Sequence, residues 1–441
     1  GYPEIDDVED LDQYRPGGLH PILIGDFLDD FQRYKVEHKL GHGSFGTVWL
    51  CFDYWIHEWK AVKVLAADSS HEVEASEMAI LKHFASVSDQ ELEKHHISLP
   101  EVRFFIDGPN GRHLCCVAPV FGESLYRIWR DYGHDREFLR RVCFQITEAM
   151  AFMHSRGVCH GDLRPDNILF KLKGVKDASW EKIWAMIPDP AQIKVSPIPN
   201  AFYPEGPGPH VPEYVYRSQP LVPPPEFLTG DIVICDIGEA YHVDEHVDFT
   251  GIPLKYASPE TVFGGQRLGF GADVWTLGAT ICEIVREALP FGGDSKLDYT
   301  KHLEMLLGPL PEPYRSHLMI QHRNSEGGPH SAKEIPLEQP VSMKEAKFVA
   351  AREERIEKHG YPTWLEIRIR EGGGYLQRMQ PGESEDTFAP WESSFGNGYK
   401  RIQFQTPPEE ADQILDLLFK IFKYRPEDRL SAEEVLAHPW F

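Results

Sequence analysis

The sequence predicts an α+β fold, a strand-rich first part followed by a mostly helical remainder, and three observations predict it. Apolar and polar residues alternate from Tyr34 through YKVEHKLGHGSFGTVWLCFDYWIHEWKAVKVL, where β-branched and aromatic residues are frequent. Helical spacing then recurs in HEVEASEMAILKHF (His71 to Phe84) and EFLRRVCFQITEAMAFMHSRG (Glu137 to Gly157). The end, ADQILDLLFKIFKYRPEDRLSAEEVLAHPWF, reads as helix, turn, helix. A length of 441 residues suffices for two or three domains, or for one large two-lobed enzyme.

Residues 1–33 form an acidic lead-in containing Gly and Pro. Strand, glycine turn, strand and strand follow. The first helix places Val73, Met78, Ile80, Leu81 and Phe84 near one side, and HLCCVAPV (His113 to Val120) reads as a buried strand. Gly157 stops the long helix. VCHGDLRPDNILF (Val158 to Phe170) comes next, dense with polar groups between two apolar ends. From Lys171 to about Gly230 proline accumulates, which rules out a central strand or a long helix. This stretch is expected to lie over a surface as an insertion or to be a partly mobile linker. DIVICDIGEA (Asp231 to Ala240) is strand then turn, and GADVWTLGATICEIVREALP is a helix. A second insertion is expected from His317 to about Gln405, with a charged helical pattern in MKEAKFVAAREERIEKHG.

Composition narrows the class. Hydrophobic residues at 41% and charged residues at 26% are ordinary for a globular chain and supply a sizeable core. A net charge of −24 argues against nucleic acid or an anionic membrane as partner, and permits a basic peptide. The seven cysteines include no CxxC pair and mostly sit in apolar strings, so reduced thiols and an intracellular location are expected, without cysteine-bound metal. The acidic start has no apolar signal core and no run nears a membrane span, so neither secretion nor spanning is expected. No clear basic import cluster separates cytoplasmic from nuclear residence, and a monomer is expected.

The chemistry lies in motifs. Gly41, Gly43 and Gly46 form GHGSFGTV between two strands, where a hairpin tip can approach phosphates and offer them N–H groups. A plain Gly-rich hairpin would show the same glycines, but a dinucleotide-binding turn would need a helix next, and here a strand follows. Lys63, a lone cation in the apolar AVKV, needs a partner. Glu77 in the next helix is suitable, and a Lys so held can grip the α- and β-phosphates of ATP. In the polar loop Asp162 can accept the proton of an attacking hydroxyl, Asn167 can offer an amide oxygen to Mg2+, and Arg164 can neutralise a transferred phosphoryl group. His160 is read as a brace. Asp236, at the end of a buried strand in CDIG, can hold Mg2+ bridging the phosphates.

HGDLRPDNIL resembles both protein kinases and small-molecule kinases of the aminoglycoside and choline type. The remaining motifs favour the former. YASPE (Tyr256 to Glu260) resembles the end of a protein-kinase activation segment, Asp273 resembles that family's anchoring Asp, and Arg429 resembles the Arg that pairs with Glu260. The resemblance to eukaryotic protein kinases covers residues 34–441 apart from the insertions. Within that family the SR-protein kinases are most similar: EDLDQYRPGGLHPILIGDFL (Glu9 to Leu28), the insertion before Asp236, DIG, and HLEMLLGPLPEPY (His302 to Tyr314) all fit.

The resemblance implies a bilobal protein-kinase fold. It has a β-rich lobe with one main helix over 34–118, and a hinge and mostly helical lobe over 119–441 interrupted at about 171–230 and at 317–405. It implies an ATP- and Mg2+-dependent serine/threonine kinase acting on basic, arginine/serine-rich segments. Val48, Ala61, Ala118 and Val120 would join the three glycines and Lys63 around the nucleotide. Ala118 stands where a bulkier residue commonly gates the back of the ATP pocket, which implies an open pocket. Gly161 stands where many members carry an Arg that binds a phosphorylated loop, so activity is expected without loop phosphorylation. Arg164 replaces a Lys, and Pro253 and Ala257 replace residues where the substrate docks, which puts strict arginine/serine specificity in question. The same departures leave open a pseudokinase, a binding module on a kinase scaffold.

Overall fold

A mixed pattern of antiparallel strands and amphipathic helices is what the computed structural model of the chain shows. It describes residues 4–43, 45–128, 135–188, 192–195, 210–293, 295–316, 341–360, 362–370, 373–379, 382, 392–394 and 399–441. The chain divides into two units, residues 1–124 with 168–238, and residues 125–167 with 239–441.

The first unit is built on a five-stranded antiparallel sheet in the order β1-β2-β3-β5-β4. Its strands are β1 (Tyr34–Gly43), β2 (Gly46–Asp53), β3 (Glu58–Leu65), β4 (Val102–Gly108) and β5 (Gly111–Ala118), with helix α1 (Ala67–Phe84) between β3 and β4. Period-two alternation sends Val36, Trp49, Cys51, Val62, Val64, Cys115 and Val117 to one face, where they form a single core cluster. The other face of the same strands carries Val48, Ala61, Lys63 and Ala118, each only partly buried.

The lead-in and the proline-rich stretch are structural parts of this unit. Ile22 and Leu28 from the lead-in and Tyr216 from the stretch complete the sheet's core. Val175, Ile183, Met186, Leu221 and Phe227 pack on Leu50, Phe52 and Trp59 of β2 and β3. The Trp59 indole N–H donates to the Ala178 carbonyl at 2.9 Å. Between residues 171 and 230 the chain forms a short helix (Trp180–Met186) and pairs Gln192–Lys194 with Tyr214–Tyr216, while residues 189–191 and 196–209 lie outside the described residues. The units therefore do not divide at residue 118: each buried apolar side chain of this stretch gains about 1.5–3 kcal/mol by leaving water, and the sheet is where it finds cover. Lys39 of β1, 1% exposed, is paired with Glu9 of the lead-in, and its ammonium also donates to the Tyr216 carbonyl at 3.0 Å. The Tyr14 hydroxyl donates to the same Glu9 carboxylate.

The second unit is mostly helical. Its centre is the helix Phe270–Arg286, in which Val274, Trp275, Leu277, Ile281 and Ile284 are buried, flanked by Arg136–Ser155 and Pro408–Ile421. A Cβ on Gly278 would fall 2.5 Å from Ile421, so glycine sets how closely two of these helices approach. Val158–Cys159 pairs with Tyr241–His242 in a two-stranded ribbon. The charged pattern expected in the second insertion is the helix Val341–His359, followed by Trp364–Arg370 and a small three-stranded sheet, and residues 317–340 lie outside the described residues. All seven cysteines are free thiols. Among the described residues no helix is long and apolar enough to cross a membrane.

Candidate active site

The predicted residues fall into two groups, one in each unit. In the first unit, β1 and β2 meet at the glycine hairpin, with Gly43 the register partner of Gly46. A Cβ on Gly46 would lie 2.4 Å from the Val64 carbonyl, so packing alone demands glycine there. Gly41 and Gly43 differ: a Cβ on either would meet nothing within 4 Å. Neither shows a positive φ, so the fold itself places no demand for glycine at these two positions. Val48 is the register partner of Lys63, and Ala61 of Ala118.

Lys63 was expected to pair with Glu77. Its ammonium instead donates to the Asp236 carboxylate at 2.6 Å, and no Lys63–Glu77 ion pair forms among the described residues. Glu77 is 4% exposed and accepts a weak bond from the Cys116 thiol at 3.7 Å. Burial pushes the Glu77 carboxyl up, Lys63 opposes the rise and the Asp236 charge adds to it. Burial alone would lower the Lys63 pKa, but Asp236 and then Glu77 outweigh it and the pKa is raised. One cation thus serves two carboxylates and contacts the more exposed one. Asp236 follows the strand Leu228–Ile234 with φ at +66°, a left-handed conformation that costs a non-glycine residue energy. Val120 differs from the other residues expected at the nucleotide: its side chain is 6% exposed and packs with Leu50 and Trp59.

In the second unit the loop after Val158–Cys159 is held from below by the helix Phe270–Arg286. The Asp273 carboxylate accepts the N–H groups of His160 (2.6 Å) and Gly161 (3.0 Å) and the His154 ring nitrogen (3.0 Å). Two turns on, Thr280 donates to the Leu163 carbonyl. The spacing of seven residues puts Asp273 and Thr280 on one helix face. Burial would raise the Asp273 pKa, yet the bonds from His154 and the Gly161 N–H hold it below the usual carboxylate value. His160 is fully buried and its ring nitrogen accepts the Asp162 N–H at 3.2 Å, so it braces the loop.

On this support the Asn167 side-chain amide donates to both the Asp162 carbonyl and the Asp162 carboxylate, each at 2.8 Å. The nitrogen end of the amide is thereby fixed on Asp162, and its oxygen is the opposite end. Arg164 reaches Asp162 at 3.4 Å and Asp166 at 2.7 Å. Sequence reasoning missed Asp166; its signal was a carboxylate two residues from Arg164. Gly161 has φ +78°, and a Cβ there would lie 2.2 Å from the Glu239 carbonyl. The pair expected between Arg429 and Glu260 is present, bidentate at 2.6 and 2.8 Å. The expected oxygen ligands, Asn167 and Asp236, belong to different units, and among the described residues no group of three His, Cys, Asp or Glu is gathered to hold a metal.

A family model described as the protein kinase domain matches residues 34–182 and 226–441. Protein kinase dsk1 of Schizosaccharomyces pombe is 36% identical over 166 residues, 36% of this chain and 30% of that protein. SRSF protein kinase 3 of Homo sapiens is 30% identical over 207 residues, 44% of this chain and 36% of that one. Serine/threonine-protein kinase SRPK of Physarum polycephalum is 24% identical over 452 aligned positions, 98% of this chain and 91% of that one. The first of these relatives is thus matched over less than a third of its own length. The fold is that of a crystallised kinase domain, with a TM-score of 0.55 at 18% identity over 95% of this chain and 97% of the other.

Proposed function

The chain belongs to the protein kinase family, and we propose that it is a serine/threonine protein kinase that transfers the γ-phosphoryl group of ATP, with Mg2+, to basic, arginine/serine-rich protein segments. The observation that carries this reading is the Asp162–Asn167 pair, bonded twice at 2.8 Å, beside Arg164 on a loop anchored by Asp273. A carboxylate that must orient a hydroxyl and take its proton needs such support.

The residues fit the co-substrate and the cation. Glycine at 41 and 43, which neither packing nor a positive φ calls for, leaves backbone N–H groups open to close approach by phosphates. The Asp236 carboxylate and the Asn167 amide offer oxygen, the donor that hard divalent cations take. Bound Mg2+ would supply charge neutralisation on the phosphates. Lys63 would hold the α- and β-phosphates, with Glu77 and Asp236 keeping it charged. Asp162 orients the attacking hydroxyl and accepts its proton, and Arg164 offsets the charge of the group in transfer. Val120 would contribute through its backbone, because its side chain is committed to the core.

The acidic chain suits a basic substrate, and the name of the human relative, SRSF protein kinase 3, points to the same class. Activity without loop phosphorylation is supported by one bond inside the segment and by others that reach it from Arg267. Glu239 accepts the Gly251 N–H at 2.7 Å, and Arg267 donates to the carbonyls of Val243 and Glu245.

The test is transfer of radiolabelled phosphate from ATP to an arginine/serine-repeat peptide and to a mixed basic peptide library, with Asp162→Ala as control. Transfer to the repeat peptide that vanishes in the variant is expected. Transfer only to other library members would keep the kinase and move its specificity, with Pro253 and Ala257 responsible. ATP binding without transfer to any peptide would refute the enzyme and leave a binding module.

A further inference from the structure

Two turns of the first unit expose aromatic side chains that the core does not use. Phe27 and Phe31 lie in the lead-in on either side of buried Leu28, and Tyr54, Trp55 and Ile56 lie in the turn between β2 and β3. Phe31 is 74% exposed and Trp55 59%. The two turns are neighbours: ring centroids are 6.0 Å apart for Phe27 with Tyr54, and 6.0 Å apart for Phe31 with Trp55. They are also tied together. The Tyr54 N–H donates to the Arg33 carbonyl at 2.9 Å, and the Asp29 carboxylate accepts the Arg33 N–H at 2.7 Å. An exposed apolar patch of this kind, fixed by backbone bonds, marks an interaction site. We propose that this surface binds an arginine-rich protein segment, with guanidinium groups stacked on its rings.

Charge selects that partner. Asp26 stands directly before Phe27, and Asp29 and Asp30 directly before Phe31. Asp26 accepts the Leu23 N–H at 2.7 Å and Asp29 the Arg33 N–H, and among the described residues none of the three carboxylates forms an ion pair. The cations of the same turns and strands are already neutralised within the fold. Arg33 pairs with Asp53 at 2.8 Å, Lys35 with Glu37 at 2.9 Å, and Lys60 with Glu58 at 2.9 Å. The patch therefore presents rings together with carboxylates that no cation offsets, which complements a basic segment and repels an acidic one.

The molecule itself shows how this surface holds a guanidinium. Arg33 lies 4.7 Å over the Tyr34 ring and 4.9 Å over the Trp55 ring, while its nitrogens grip the Asp53 carboxylate at 2.8–3.0 Å. Phe27 with Asp26, and Phe31 with Asp30, offer the same two partners, ring and carboxylate, to an arginine from outside. Arginine suits them better than lysine, because a planar guanidinium stacks on a ring and forks to a carboxylate at once. The identity of the segment rests on the proposed function. An arginine/serine-rich substrate repeats its arginines, so some are left over from the serine being phosphorylated and are free to dock here.

Fluorescence anisotropy with the whole chain and two labelled peptides tests this, one an arginine/alanine repeat and the other a lysine/alanine repeat of equal charge. The arginine peptide should bind more tightly than the lysine peptide. Phe31→Ser with Trp55→Ser should weaken the arginine peptide by about tenfold, the loss of two ring contacts, and leave the lysine peptide little changed. Asp30→Lys, which keeps the rings, should weaken both peptides. Melting temperatures check that the variants are folded. Equal affinity for the two peptides, or arginine-peptide affinity unchanged in the folded double variant, would overturn the proposal. Self-association of the native chain on sedimentation that the double variant abolishes would give the surface to a second copy and overturn it as well. Neither peptide carries a hydroxyl, so binding is read without phosphoryl transfer. Unchanged binding alongside transfer to an arginine/serine-repeat peptide would sink the surface and leave the proposed function standing. Binding lost in the double variant, with no transfer to any peptide, would refute that function and keep the surface.

Discussion

Replacing Arg429 with methionine deletes a guanidinium that makes five hydrogen bonds. Two go to the Glu260 oxygens at 2.6 and 2.8 Å, and the others to the carbonyls of Lys423 (2.9 Å), Gly271 (2.7 Å) and Tyr424 (3.1 Å). Both charged side chains are 0% exposed. The variant leaves Glu260 buried without a counter-charge, which costs about 3–5 kcal/mol. Loss of the contact with the Trp275 ring, 4.9 Å from the guanidinium, adds about 0.5–2 kcal/mol. At roughly 2–4 °C per kcal/mol for a unit of this size, the melting temperature should fall by about 10 °C or more. Urea denaturation followed by tryptophan fluorescence gives the free energy directly. Arg429→Met with Glu260→Leu should recover much of the loss, since a buried apolar pair carries no stranded charge. A single-variant loss below about 1 kcal/mol, or a double variant as unstable as the two single losses added, would refute the reasoning.

Two further outcomes are expected. Ala118 and its register partner Ala61 are both small and partly buried, so ATP analogues with large base substituents should bind the native chain and lose affinity in Ala118→Phe, while ATP itself changes little. Competition binding measures this, and equal affinity for bulky and ordinary analogues, unchanged in the variant, would contradict it. The Asp273 carboxyl is held below its unfolded value, so the stability it contributes is present above about pH 4 and is lost as pH falls through the lower folded pKa. Asp273→Asn should be less stable near neutral pH and decline less steeply in acid; parallel stability curves for the two proteins, from urea midpoints across that range, would sink the idea.

Much of this was legible in the sequence because the signals are local. The GHGSFGTV hairpin, the long helix ending at Gly157 and the polar loop from Val158 each declare themselves within about twenty residues. Asp162 and Asn167 lie five residues apart in that loop and were both singled out there, although the bond between them was not expected. What was not legible depends on distant chain. Nothing near Lys63 tells that its ammonium contacts Asp236, 173 residues away, in preference to Glu77. The proline-rich stretch reads as an overlay because proline excludes regular elements. Yet Ile183 and Met186 bury on β2 and β3 from the short helix Trp180–Met186, and Phe227 joins them from a single turn that begins at a proline. The role of glycine at 161 had to wait for the Glu239 carbonyl that a Cβ would strike.

The pairing of Lys39 with Glu9 has a practical meaning for anyone trimming this protein. The kinase-domain match begins at residue 34, and a fragment cut there would look complete on paper. It would lose Glu9, stranding an ammonium that is 1% exposed, and it would lose Ile22 and Leu28 from the sheet's core. Excising the region between the two matched blocks, residues 183–225, would remove Tyr216 and Leu221 as well. The smallest piece that can be expected to fold by itself is therefore larger than the piece that carries the recognisable motifs.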